Sequence, residues 1–107
     1  MDFKQNTVGS LKRVKARLEN EESWCKGAYA LDEDNQLVSP VSSRACKWCL
    51  FGAAEVEFHF LGVSLNHILS KAARVRKFKS IVQLNDDLNH AGVLQFLDEV
   101  IKEEEGQ

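Results

Sequence analysis

Cys46 and Cys49 form a C-x-x-C pair, a spacing used by zinc ligands and by redox dithiols. Structural zinc needs four ligands at tetrahedral geometry, and the other candidates, Cys25, His59, His67 and His90, are scattered singly along the chain. No second C-x-x-C completes a set. The pair also lies in the densest apolar run of the sequence, residues 45–54, three apart on one face of a helix rather than in a tight turn. A thioredoxin-like role needs a strand–helix–strand frame that the pattern lacks. The three cysteines are therefore read as free buried thiols acting as small hydrophobes, with no metal and no cofactor assigned.

Cys49 admits a second chemistry. With His90 as base and Asn85 or Asp86 as orienting group it would make a nucleophilic set. No signature of a cysteine enzyme surrounds it, and an apolar setting raises a thiol's pKa instead of lowering it. The enzyme reading is kept as an alternative and no catalytic residue is assigned. Asn85-Asp86-Asp87 offers too few side chains for a cation site, and Asp32-x-Asp34-x-Gln36 lacks the glycine and final glutamate of a calcium loop. Asn85 or Asp86 is expected instead to bond to exposed amides of a hairpin or a helix start.

Between Lys71 and Lys79, five of nine residues are basic (Lys71, Arg74, Arg76, Lys77 and Lys79) and none is acidic, which could suit phosphates, with Phe78 stacking on a base. Lys12, Arg13, Lys15 and Arg17 could extend such a face. No helix-turn-helix or RNA-binding signature accompanies it, and a cationic helix end also complements the helix dipole. Nucleic acid is thus the alternative partner. Tyr29 and Trp24 are the residues assigned to a protein partner, because large amphipathic rings anchor interfaces as well as cores. Trp48 is expected in the interior.

The elements that must position these groups follow from periodicity. Val8, Leu11, Val14 and Leu18 predict a helix over residues 7–20, capped by Asn6 or Thr7. Residues 24–31 and 37–38 flank an Asp/Asn turn and predict a short β-hairpin, which must lie on helices to be stable. A central helix is predicted from a Ser42 or Ser43 cap to about Phe58, organising the rest of the chain, with Gly52 permitting close approach of another backbone. Ser64 is the expected cap of a third helix. Ser80-x-x-Gln83 has the form of a capping box before a short helix, and Asn89 caps the last one, with Glu103, Glu104 and Glu105 as a fraying tail. The expected fold is mainly α: a compact bundle of four or five helices with one short hairpin packed on it, a single domain over residues 1–107.

Trp24-x-x-Gly27-Ala28-x-Ala30-x-Asp32, then Trp48-Cys49-x-x-Gly52-Ala53, then Asn85-Asp86 before a capped amphipathic helix, resembles a family of small uncharacterised proteins of bacteria and their phages. The resemblance runs from Leu11 to Ile101. It implies no activity, and it marks Trp48, Cys49, Gly52, Asn85 and Asp86 as a structural motif. The chain departs from the pattern at Leu84, where tryptophan is usual, at Leu31, where a basic residue is usual, and at Asn35, where glycine is usual.

Composition bounds the remainder. A hydrophobic fraction of 44% with 28% charged residues is that of a globular domain, and a net charge of -2 gives no bulk attraction for nucleic acid. No run approaches a membrane span, and the first residues lack the apolar core of a signal peptide, so a cytoplasmic location is expected. The expected function is a non-enzymatic interaction protein whose partner is another protein, an accessory or host-interaction inhibitor of a phage or prophage.

Overall fold

The structure, a computed structural model, describes residues 3–106. Five α-helices carry the fold: α1 (Phe3–Leu18), α2 (Leu50–Leu61), α3 (Asn66–Val75), α4 (Ile81–Asp87) and α5 (His90–Glu105). Two short antiparallel strands, β1 (Ala30–Leu31) and β2 (Lys47–Trp48), lie beside them, with Ala30 opposite Trp48 and Leu31 opposite Lys47. The predicted helical fold with one small hairpin is the observed one.

The centre of the core differs from the expected one. It is α1, packed against both α2 and α5. Leu11, Val14 and Leu18 recur at the helical period and are fully buried, meeting Leu50 and Ala53 of α2 and Val93, Leu97 and Val100 of α5. The opposite edges of α1 hold it in place through charge: Lys12 to Glu105, Lys15 to Asp98, and Arg13 to the buried carboxylate of Glu57 at 2.8 Å. Thr7 is an interior residue of this helix and not its cap. Glu103 and Glu105, expected in a fraying tail, lie in the last turns of α5 and pair with Arg76 and Lys12. Fraying expected at residues 1, 2 and 107 lies outside the described residues.

The largest correction concerns residues 45–49. They do not open the central helix, because two of their amides are taken by carbonyls far away in sequence: Cys46 N–H donates to Leu31 O and Cys49 N–H to Tyr29 O. The second strand is therefore 47–48, while Leu37 makes only an isolated bridge to Leu31. The cap of α2 is Cys49, in extended geometry, whose Sγ accepts from Gly52 N–H at 3.4 Å, and not Ser42 or Ser43. Likewise Ser64 caps nothing; Leu65 holds the N-cap position of α3 without a side-chain bond. Ser80 and Asn89 do cap α4 and α5, accepting from Gln83 N–H at 3.0 Å and from Gly92 N–H at 2.8 Å.

The loop between the strands is closed by Asp32, whose buried carboxylate accepts from the amides of Asp34 and Gln36 and from Arg44. Those amides, with Gln36 foremost, and the Arg44 guanidinium hold its pKa below the usual aspartate value. Asn35, where the resembled family has glycine, takes a left-handed φ of 61°, a conformation asparagine tolerates better than most residues.

Candidate functional site

Asn85 forms the corner about which the motif residues meet. It is fully buried on α4, and a buried carboxamide must spend two acceptor sites and two N–H donors. All four are used. Its Oδ1 accepts from Trp24 Nε1–H at 2.7 Å and from Leu50 N–H, the first amide of α2, at 3.0 Å. Its Nδ2 donates to Cys25 O at 3.0 Å and to Asp86 Oδ1 at 3.1 Å. Asp86 Oδ1 accepts in turn from Gly27 N–H at 3.2 Å. One side chain thus joins the 24–27 segment, the start of α2 and α4.

Gly52 completes the joint. A Cβ there would collide with Tyr29 O and stand 2.9 Å from Tyr29 C, so the backbone just before β1 lies directly on that of α2. Trp48 is half-buried, its indole N–H donating to Pro40 O at 2.9 Å and the Arg17 guanidinium lying 4.6 Å over its ring. Trp24 is also half-buried. Its ring faces His90 at 5.5 Å between centroids, and its N–H is committed to Asn85, so it serves the frame.

The cysteines stay apart as chemistry. All three are free thiols, Cys25 and Cys49 buried and Cys46 half-buried. Burial pushes the Cys49 thiol up, and burial together with the neighbouring Cys49 raises Cys25 to about 11. Cys49 lines a hollow of about 360 Å³ together with Asp86 and Tyr29, but His90 is not part of that lining. The His90 Nε2 nitrogen is 2.6 Å from Leu18 O; a carbonyl only accepts, so this nitrogen carries the proton and serves as donor at the end of α1. Cys49 thus shares its hollow with Asp86 and Tyr29 and not with the histidine expected to activate it. Among the described residues, no group of three or more His, Cys, Asp or Glu is placed to hold a metal ion.

The basic segment is divided. Arg76 donates to Glu99 Oε1 at 2.9 Å and lies over the Phe96 ring, while Lys71, Arg74, Lys77 and Lys79 remain exposed. Lys12, Arg13 and Lys15 are neutralised by partners on α2 and α5, so α1 adds little to a cationic face.

Tyr29 is half exposed and its ring packs on Phe51 at 4.8 Å between centroids. Phe51, Glu55 and Phe58 follow one another at helical spacing along the outer face of α2. With Tyr29, Pro40 and Val41 they line a groove of about 470 Å³. Phe58, Phe60 and Leu61 are each more than half exposed. Sequence reading pointed to Tyr29 but missed Phe51 and Phe58. The available signal was the crowding of Phe58, Phe60 and Leu61 into one turn before Gly62, more apolar bulk than a single helix face can bury.

Among the described residues, no helix is long and apolar enough to cross a membrane. No curated protein and no solved structure matches the chain. The sequence pattern of DUF6197, a family of unknown function, matches residues 4–103, and the protein belongs to that family, as its resemblance to uncharacterised proteins implied.

Proposed function

We propose that this protein acts by binding another protein through the aromatic groove that Tyr29, Phe51 and Phe58 build on the outer face of α2. The observation that carries the reading is large, exposed aromatic area held by a rigid support: Tyr29 is fixed through its carbonyl to Cys49 N–H and its backbone rests on Gly52. Rings held this way lose little conformational freedom on association and are the residue types that dominate interface energies. A buried Cys49 whose thiol is pushed up by burial, with His90 committed elsewhere, argues for binding over catalysis. The small size and the resemblance to proteins of bacteria and phages fit a cytoplasmic accessory or host-interaction protein, an inhibitor of a host system being the form such a role takes. That step is analogy at the level of the family.

The test is affinity capture from the native cell with the wild type and with Tyr29→Asp and Phe58→Asp. A stoichiometric partner should be retained by the wild type and lost by both variants, with their thermal melts within a few degrees of the wild type. A partner retained by both variants would overturn the reading. Loss instead on neutralising Lys71, Arg74 and Lys77, with retention that weakens as salt rises, would move the function to nucleic acid.

A further inference from the structure

We infer that the hollow beside the aromatic groove is a receptor for an arginine side chain of the partner protein; this rests on the protein-binding reading and gives its partner a chemistry. The hollow of about 360 Å³ shares Tyr29 with that groove. Its lining is mostly apolar and includes Leu37, Val82 and the buried Cys49, and Tyr29 and Leu37 are both more than half exposed. Asp86 is the one ionic group in its lining.

Three observations select the occupant. First, the Asp86 carboxylate is half-buried and has no counter-ion within 4 Å among the described residues. The nearby amines are otherwise engaged: Lys47 donates to Asn35, and Lys26 lies over the Trp24 ring. A half-buried carboxylate in apolar walls favours a cationic visitor, since the attraction is screened less there than at an open surface. Second, the carboxylate is preorganised. Its Oδ1 is fixed by Gly27 N–H and by Asn85 Nδ2, whereas Oδ2 accepts no hydrogen bond among the described residues. Third, Tyr29 also lines the hollow, and an aromatic ring of this kind can stack on a planar guanidinium that donates to Asp86. The three-methylene stem of arginine then covers Leu37 and Val82, its head staying at the polar end. An acidic side chain would meet Asp86 with like charge, and an apolar one would leave the carboxylate desolvated and unpaired.

The experiment uses the full chain and two synthetic probes, acetyl-Gly-Leu-Arg-Leu-Gly-amide and the same peptide with citrulline, the neutral isostere, in place of arginine. Backbone amide shifts are followed by NMR during titration. The arginine peptide should give saturable shifts at Gly27, Ala28 and Tyr29, with the citrulline peptide about tenfold weaker, since charge-assisted bonds are about twice as strong as neutral ones. Asp86→Asn keeps an oxygen for Gly27 N–H and Asn85, so the fold should stand while arginine binding falls to the citrulline level. Equal binding of the two peptides, or arginine binding unchanged in Asp86→Asn, would overturn the inference, as would shifts that never saturate. The two proposals fail separately: partner capture lost with Phe58→Asp but untouched by Asp86→Asn keeps the interaction role and removes the arginine receptor.

Discussion

Removing the Asn85 carboxamide should cost more than any other single polar truncation in this protein. In Asn85→Ala, two buried backbone groups lose their partner, the Leu50 N–H and the Cys25 carbonyl. Each orphaned group costs about 1–3 kcal/mol. Trp24 is a half-buried residue, so its indole N–H is counted as passing to water and adding little. Asp86 keeps its bond from Gly27 N–H. The sum is about 4 kcal/mol, a large part of the 5–15 kcal/mol that holds a typical domain together. With a urea m-value of about 1.5 kcal/mol/M the unfolding midpoint should fall by about 2.5 M. Equilibrium urea unfolding followed by tryptophan fluorescence measures it. Asn85→Asp serves as the internal control. The carboxylate introduced there still accepts from Trp24 and Leu50 but faces the Cys25 carbonyl and Asp86. Its folded-state pKa must then lie above the unfolded value of about 3.9, so that variant regains stability as pH falls, while Asn85→Ala does not. A loss below about 1 kcal/mol for Asn85→Ala, with m unchanged, would refute the account of the corner.

Gly52→Ala should reverse the ordinary sign of a helix glycine replacement. The usual gain of up to about 1 kcal/mol is overwhelmed because the new methyl meets backbone, the Tyr29 carbonyl oxygen, which cannot rotate away. A fall in thermal midpoint of more than about 10 °C is expected; no change would mean that the Tyr29 backbone can lift from α2 without penalty. Asp32, whose folded pKa is depressed by the Gln36 and Asp34 amides and by Arg44, contributes stability at neutral pH that disappears as pH falls below about 4. Asp32→Asn should therefore be less stable than the wild type at pH 7, with the gap closing towards pH 2 in thermal melts; a gap constant with pH would contradict the assignment.

Periodicity made most of the helices legible. Leu11, Val14 and Leu18, and Val93, Leu97 and Val100, recur at the helical spacing and bury the faces so predicted. Ser80 and Asn89 announced helix starts through side-chain chemistry that acts within three residues. Residues 45–49 were misread because a short apolar run without proline or glycine suits helix and strand alike. Their state is decided by the carbonyls of Tyr29 and Leu31, distant in sequence and invisible to local propensity. Leu84, where the resembled family has tryptophan, is fully buried. The Asn-Asp dipeptide could be singled out from sequence, but its fourfold bonding requires groups 35 and 61 residues away. The groove was half legible: Tyr29 is the one aromatic between Trp24 and Trp48, whereas Phe51 and Phe58 sit in a pattern that reads as core.

The pairing of α1 with α5 bears on when the molecule can become itself during synthesis. The helix that supplies the middle of the interior is translated first of the described elements, and the one that closes over it is translated last. Until then Leu11, Val14 and Leu18 lack the cover of Val93, Leu97 and Val100, leaving the nascent chain with a sticky stripe and little reason to settle. The interior around α1 is thus complete only once the sixteen-residue α5 has been made.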